Sequence, residues 1–197
     1  MLLSLTVLIC RALFLGGFRA RVHGLENIPR TGPAIIAINH VSYLDPLLVG
    51  AQVGWLRPFR SIGKKELFAV PFLGAYLRAV GGIPLDRDHA DPGALRAALD
   101  VLAAGELFLM APEGTRGKSG RPRTPKPGVG FLAHRSGAPV IPVRVAGTEG
   151  LPVPGRLWVR FGEPVRFTAH GDDPKELGGQ YRDFAERLMK GIYALRE

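Results

Sequence analysis

Short apolar runs alternate along the chain with longer stretches in which apolar residues recur every three or four positions. Residues 34–38 and 107–110 are wholly apolar, and residues 140–145 are nearly so. Runs of this length rich in branched side chains are typical of strands buried on both faces of a sheet. Between 91 and 105 the apolar spacing is helical, with Asp91 and Pro92 as start signals and Gly105 as a stop. Strands that alternate with helices predict a single α/β domain with a mostly parallel central sheet flanked by helices.

The N-terminal stretch is apolar but is interrupted by charge. Its longest uncharged run, from Met1 to Cys10, has ten residues, whereas a helix that spans a bilayer needs about 20. We therefore predict that residues 1–21 form a helix lying in the membrane interface and that residues 22–197 form the folded domain. The alternative is an amphipathic helix packed on the core of its own domain.

A second apolar stripe at helical spacing runs from Phe68 through Phe72 and Tyr76 to Val80. Such a stripe is typical of a helix that faces a hydrophobic core, and lining a groove for an acyl chain is the alternative. The final stretch, from Leu177 to Leu195, also has one apolar face and predicts a closing helix.

Charge and hydropathy narrow the classes of partner. The chain has 26 Lys and Arg residues against 17 Asp and Glu, a formal net charge of +9, which favours nucleic acid, anionic lipid or phosphorylated substrates. A hydrophobic fraction of 46% and a mean hydropathy of +0.10 shift that choice toward a membrane surface. The single cysteine, Cys10, excludes an intramolecular disulfide, and no Cys/His cluster has the spacing of a zinc site, so no metal is predicted.

Polar chemistry begins where the apolar run 34–38 ends. His40 is the usual kind of side chain to take a proton from a hydroxyl near pH 7, and a carboxylate on its other ring nitrogen would fix the tautomer. Asp45 is the candidate partner if His40 lies in a turn and Asp45 starts the following helix. Pro46 then suits the first helical position and makes Asp45 a candidate N-cap, with Ser42 as a rival. The alternatives are a purely capping Asp45 and a structural His40.

A similar arrangement follows the run 107–110. Gly114 allows close approach of the backbone to an anion, Thr115 offers a hydroxyl, and Arg116 presents a bidentate fork to phosphate oxygens. Glu113 is better suited to hold an arginine or to accept from an acceptor hydroxyl. Because parallel sheets bind ligands beyond the carboxyl ends of their strands, we expect this segment and His40 to face one crevice.

Four segments in this order resemble the four blocks of the glycerolipid acyltransferases of the 1-acylglycerol-3-phosphate O-acyltransferase type. They are residues 39–46 (Asn-His-Val-Ser-Tyr-Leu-Asp-Pro), 82–87 (Gly-Ile-Pro-Leu-Asp-Arg), 112–116 (Pro-Glu-Gly-Thr-Arg) and 140–143 (Val-Ile-Pro-Val). The resemblance covers the chain from about Gly24 to Phe161. One departure is that Ala111 and Gly117 stand where this family usually has Phe and Ser.

The resemblance implies acyl transfer from acyl-CoA or acyl carrier protein to the free hydroxyl of 1-acylglycerol 3-phosphate, which gives phosphatidate in phospholipid biosynthesis. His40 and Asp45 are then the catalytic pair. The substrate-binding residues are Arg87, Glu113, Gly114, Thr115 and Arg116. An ion pair with Asp86 or Asp88 is the alternative for Arg87. The thioester supplies the activation, so no cofactor is expected, and 22–197 is expected to be the acyltransferase domain.

The partners that follow are a lysophospholipid, an acyl thioester, a membrane surface and, as a candidate donor, acyl carrier protein. The expected location is the cytoplasmic face of a membrane, peripheral or monotopic. Rival functions are transfer to another acceptor (glycerol 3-phosphate or a lyso-aminolipid), hydrolysis by the same pair, and a non-catalytic basic membrane-binding module. Nucleic acid is not expected, because no RNA- or DNA-binding signature accompanies the basic residues.

Overall fold

A seven-stranded sheet forms the centre of the computed structural model, which describes residues 2–86, 91–117, 123–149 and 153–197. The strand order is β1-β7-β6-β2-β5-β3-β4. The five strands from β6 to β4 are parallel, whereas β7 is antiparallel to β6 and carries β1 parallel to itself. The strands are β1 (Arg21–His23), β2 (Ala34–Ile38), β3 (Phe59–Lys64), β4 (Gly82–Leu85), β5 (Leu107–Met110), β6 (Val140–Ala146) and β7 (Trp158–Phe161). The predicted mostly parallel α/β sheet is confirmed.

Helices cover both faces of this sheet. Within the described ranges they are α1 (Leu2–Arg11), α2 (Leu44–Leu56), α3 (Lys65–Ala69), α4 (Leu73–Ala79), α5 (Pro92–Ala103), α6 (Gly128–Ser136) and α7 (Pro174–Ala194). Asp91 caps α5 by accepting from the Ala94 amide at 2.9 Å, so the predicted start of that helix is confirmed. Asp173 caps α7 in the same way through the Lys175 amide.

The central strand β2 shows why the domain has two cores. All five of its residues are at most 1% exposed, and they alternate between the two faces of the sheet. Ile36 and Ile38 join a core that contains α2, and Ile35 and Ala37 join the core formed with α5, α6 and α7. The continuous apolar pattern of β2 therefore reflects burial on both sides, and its carboxyl end is held rigidly in the middle of the domain.

The N-terminal segment packs on the domain along one face. Val7 and Phe14 are buried, and a Cβ atom added at Gly54 of α2 would lie 2.6 Å from Val7, so α1 and α2 are in close contact. The other face leaves Leu5, Leu8, Ile9 and Leu13 each at least half exposed. After α1 the backbone continues as a π-helical turn over Ala12–Gly17. No helix in the described part of the chain is both long and apolar enough to cross a bilayer.

The stripe from Phe68 to Val80 is not one core helix, and that prediction is wrong. Pro71 falls between α3 and α4, and the Leu73 amide donates to the Pro71 carbonyl at 2.7 Å, which closes a γ-turn. Phe72 occupies the centre of that turn at φ 62° and is 92% exposed. The apolar spacing therefore describes a buried Phe68 followed by an apolar projection into solvent.

Candidate active site

His40 and Asp45 meet in the turn between β2 and α2. The Nδ1 atom of His40 lies 3.2 Å from Oδ2 of Asp45, and the same oxygen accepts from the amides of Val41 and Ser42 at 2.7 Å each. The helix begins at Leu44, so the prediction that Asp45 is its N-cap is wrong. The rival candidate, Ser42, does make a capping contact, because its hydroxyl accepts from the Leu44 amide at 3.3 Å. Asp45 lies inside the first turn and folds back over the preceding backbone, which brings it within reach of the imidazole.

The second carboxylate oxygen of Asp45 is also occupied. Oδ1 accepts a hydrogen bond from the hydroxyl of Thr148, which follows the end of β6. Asp45 is fully buried and His40 is 7% exposed. A buried carboxylate is tolerated only when its oxygens are hydrogen-bonded, and here two amides, a hydroxyl and an imidazole meet that need. Because Asp45 accepts at Nδ1, the neutral imidazole carries its proton there and keeps a lone pair on Nε2.

Asn39 fixes the turn to the neighbouring strand. Its side chain donates to the Val145 carbonyl at 2.9 Å and accepts from the Val145 amide at 2.7 Å. Asn39 is 2% exposed, so these two bonds are shielded from water. The pair continues the hydrogen bonding between β2 and β6 beyond the last residue of β2, and the backbone of His40 therefore starts from a fixed point.

Glu113 lies behind the histidine. Its Oε2 accepts from the His40 amide at 3.2 Å, and its Oε1 accepts from the Tyr193 hydroxyl at 2.8 Å. It is 3% exposed. Burial raises the pKa of Glu113 above its ordinary value, and the hydrogen bonds from Tyr193 and the His40 amide oppose that rise. The structure thus brings Glu113 to the backbone of the turn that carries His40.

The segment after Glu113 forms the other wall of the site. Gly114 has φ 71°, and a Cβ atom there would lie 3.1 Å from Cε of Lys126. The hydroxyl of Thr115 accepts from Arg123 at 2.8 Å. Arg116 is exposed and lies across the ring of Tyr43, with its Cζ 3.6 Å from the ring centroid. Since Tyr43 belongs to the turn that carries His40, the two walls touch at this stack.

A small pocket, referred to below as the groove, lies between the walls beside the carboxyl ends of β2, β5 and β4 and the middle of β3. Its polar edge includes His40 and Gly114, and its remaining lining is mostly apolar: Ile38, Pro46, Ser61, Ile62, Leu85, Leu109, Met110 and Ala111. Arg87, the other predicted phosphate ligand, lies outside the described residues. In the described ranges no three His, Cys, Asp or Glu residues form a candidate metal site.

Three residues of this arrangement were not predicted from the sequence. The sequence indicates Asn39 only as part of a block, and it predicts no role for Thr148 or Tyr193. Thr148 lies 103 residues from Asp45, and Tyr193 lies 80 residues from Glu113. A lone hydroxyl has no periodic signature. A weak signal for Thr148 was its position just after a strand parallel to β2, because such strands end at one edge of the sheet.

Comparison with known proteins places this geometry in a family. The model of the acyltransferase family matches residues 19–146. A chloroplastic 1-acyl-sn-glycerol-3-phosphate acyltransferase of Arabidopsis thaliana is 31% identical over 84% of this chain and 48% of its own length. A 1-acyl-sn-glycerol-3-phosphate acyltransferase of Bacillus subtilis is 29% identical over 86% of each chain. The chain thus spans about half the length of the chloroplastic relative and most of the bacterial one.

A solved structure agrees with the same assignment. The crystal structure of the 1-acyl-sn-glycerophosphate (LPA) acyltransferase of Thermotoga maritima superposes with a TM-score of 0.72 at 28% identity, covering 99% of this chain and 81% of that one. The match to the family model includes His40, Asp45 and the segment 113–116, and it covers well over half of the 197 residues. The chain therefore belongs to the acyltransferase family.

Proposed function

We propose that this chain transfers an acyl group from a thioester, acyl-CoA or acyl carrier protein, to the free hydroxyl of 1-acylglycerol 3-phosphate, giving phosphatidate. The observation that carries the proposal is the buried contact between His40 and Asp45, 3.2 Å apart, at the polar edge of an apolar groove. The names of the relatives support the choice of acceptor.

The pair supplies the proton transfer. With Nδ1 held by Asp45, the Nε2 atom of His40 removes the proton of the acceptor hydroxyl as that oxygen attacks the thioester carbonyl. The carboxylate stabilises the imidazolium that forms, and it is already hydrogen-bonded on both oxygens before reaction. The proton then passes from Nε2 to the departing thiolate. Both chemical steps therefore use a single imidazole.

The segment 114–116 holds the acceptor phosphate in this proposal. Arg116 presents a guanidinium fork, and Gly114 and Thr115 provide close backbone approach and a hydroxyl. Arg87 remains a proposed second phosphate ligand. Because the segment belongs to the loop that carries Glu113, a bound phosphate brings the acceptor hydroxyl close to His40, and such placement is a large part of the rate enhancement. The apolar side chains that line the groove, among them Pro46, Leu109 and Met110, contact the acyl chain in this proposal.

The proposed site of action is a membrane surface, where the acceptor resides. Two described features support it: the exposed leucines of α1 and the projecting Phe72. They lie on neighbouring elements, because the Tyr76 hydroxyl of α4 donates to Thr6 of α1 at 3.1 Å. A net charge of +9 adds attraction to anionic lipid. In this proposal the protein is peripheral or monotopic on the cytoplasmic face.

An acceptor panel tests the proposal directly. The purified chain is supplied with labelled acyl-CoA, or with acyl carrier protein carrying the same acyl group, and with 1-acylglycerol 3-phosphate, glycerol 3-phosphate or a lyso-aminolipid. Labelled phosphatidate as the main product is expected. A preference for an acceptor that lacks phosphate would contradict the role given to Arg116. Free fatty acid as the main product would identify a hydrolase, and no turnover with any acceptor would favour a binding module.

A further inference from the structure

A hydrogen-bonded chain connects the end of the last helix to the catalytic turn. The Tyr193 hydroxyl donates to Oε1 of Glu113 at 2.8 Å, and Oε2 of Glu113 accepts from the amide of His40 at 3.2 Å. The carbonyl of His40 accepts in turn from the Gly117 amide at 2.9 Å. Both polar groups of the His40 backbone are therefore fixed by the loop after β5. Tyr193 holds the carboxylate that makes one of those contacts.

Glu113 has the contacts of a support rather than of a substrate ligand. It is 3% exposed, and each of its oxygens already has a donor from the protein. A side chain that bound the acceptor would need to present an oxygen to the groove, and the groove lining includes Gly114 but not Glu113. The carboxylate is therefore positioned to orient the backbone of His40 from behind.

Tyr193 is itself fixed by the sheet. Arg144 of β6 donates to the Tyr193 carbonyl at 2.7 Å, and its Cζ lies 4.8 Å from the centroid of the tyrosine ring. Burial and the neighbouring Glu113 raise the pKa of Tyr193 well above its ordinary value. A tyrosine hydroxyl is protonated at neutral pH in any case, and the raised pKa extends that range upward, so the group acts as a donor to Glu113.

We propose that Tyr193 is a positioning residue for the acyl transfer, acting on His40 through the carboxylate of Glu113. This inference rests on the proposed catalytic role of His40. Tyr193 lies outside residues 19–146, the part matched by the family model, so the assignment comes from its contacts in this chain. Its hydroxyl and the amide of Arg123 hold the carboxylate of Glu113, and Glu113 holds the peptide of His40. The imidazole is thereby kept at the angle that directs Nε2 toward the acceptor.

Tyr193→Phe removes the hydroxyl and keeps the ring against Arg144. We expect kcat to fall about tenfold, the effect of one lost hydrogen bond to a charged group. KM for donor and acceptor should change by less than about twofold, because Tyr193 does not touch the groove. The matched control is Tyr181→Phe on the same helix, whose hydroxyl lies 2.7 Å from Nδ1 of His134. Its kcat should stay within about twofold of the wild type.

A double-mutant cycle tests whether the effect passes through Glu113. Glu113→Ala should lower kcat by about a hundredfold, and adding Tyr193→Phe to it should cost nothing further, because the intermediary is gone. If instead the fold-losses in kcat of the two single variants multiplied in the double variant, Tyr193 would act by another route. That result would overturn the proposal. So would a Tyr193→Phe enzyme with normal kcat, or a Tyr181→Phe enzyme that loses as much.

A second measurement needs neither activity nor the Glu113→Ala protein. In the chain labelled with 15N-histidine, the amide resonance of His40 is identified by its loss in His40→Ala. Tyr193→Phe should move that resonance upfield and speed its hydrogen exchange, whereas Tyr181→Phe should leave it in place. An unchanged His40 amide in Tyr193→Phe overturns the proposal. Because no substrate is present, this result is independent of which acceptor the enzyme uses, and the acceptor panel alone decides the proposed function.

Discussion

The two walls of the groove are built in opposite ways. In the turn that follows β2, Asn39, His40 and Asp45 are at most 7% exposed, and their side chains are tied to the protein by hydrogen bonds. In the facing segment, Arg116 is exposed and Thr115 is partly so, and their partners are the neighbouring surface residues Tyr43 and Arg123. In the proposed mechanism, the turn after β2 is therefore a rigid wall that fixes the proton-transfer geometry before substrate binds. The facing segment is an adaptable wall whose arginine and threonine adjust to a headgroup.

The largest effect should follow from removing the base in the rigid wall. His40→Ala is expected to lower kcat by about 10² to 10⁴, the usual contribution of general acid–base catalysis. Binding to lipid vesicles should be unchanged, because His40 is buried. Initial rates with labelled acyl-CoA measure the first quantity and vesicle co-sedimentation the second. The exposed His23 on β1 provides a control, since His23→Ala should keep full turnover. A fully active His40→Ala enzyme would place the chemistry elsewhere.

A smaller effect is expected from the support of Asp45. Thr148→Val keeps the shape of the side chain but leaves Oδ1 of Asp45 without its hydroxyl donor. An unsatisfied buried acceptor costs about 1–3 kcal/mol of folding free energy, and we expect kcat to fall about tenfold because Asp45 is freer to turn from His40. Urea unfolding and initial rates check the two parts. Thr168→Val, at an exposed loop position, should change neither the folding free energy nor kcat. A Thr148→Val enzyme as active as the wild type would show that the hydrogen bond to Oδ1 of Asp45 is not needed for activity.

The adaptable wall should respond through binding instead. Arg116→Ala is expected to raise KM for the acceptor about tenfold with kcat little changed, and Arg116→Lys should recover only part of it because the bidentate fork is lost. Steady-state kinetics at varied acceptor concentration separate the two constants. Arg135→Ala, an exposed arginine on α6, serves as the charge-matched control. If Arg116→Ala lowered kcat alone, the contrast between the walls would be wrong.

The smallest effect concerns the apolar projection beyond the groove. Phe72→Ala is expected to weaken binding to anionic vesicles by a few-fold, since a large exposed aromatic side chain contributes apolar area to an interface. Vesicle co-sedimentation at fixed salt measures it. Val165→Ala removes apolar area from another exposed site and should leave vesicle binding unchanged. Equal binding by wild type and Phe72→Ala would remove Phe72 from the proposed membrane contact.

The sequence alone predicts the residues of the rigid wall, but it does not predict the hydrogen bonds that support them. The run 34–38 and the following His40 and Asp45 are close in sequence, so strand ends and turn residues reveal them. The contacts of Thr148 and Tyr193 come from distant segments and depend on strand order, which one sequence does not specify. The prediction of a core helix through Phe72 was wrong for a different reason. Pro71 interrupts the helix that the apolar spacing predicts, and spacing carries no information about a γ-turn.

The positions of Thr148 and Tyr193 have a consequence for transplanting this chemistry. Both hydroxyls lie beyond residue 146, where the match to the family model ends. A chimaera that received only residues 19–146 would contain all the motif residues. It would lack the hydroxyl that donates to Asp45 and the hydroxyl that donates to Glu113. Such a chimaera would contain all the motifs but would be expected to turn over slowly, because His40 and Asp45 would be less well positioned. Full activity would require the host protein to supply two hydroxyl groups at the positions of Thr148 and Tyr193.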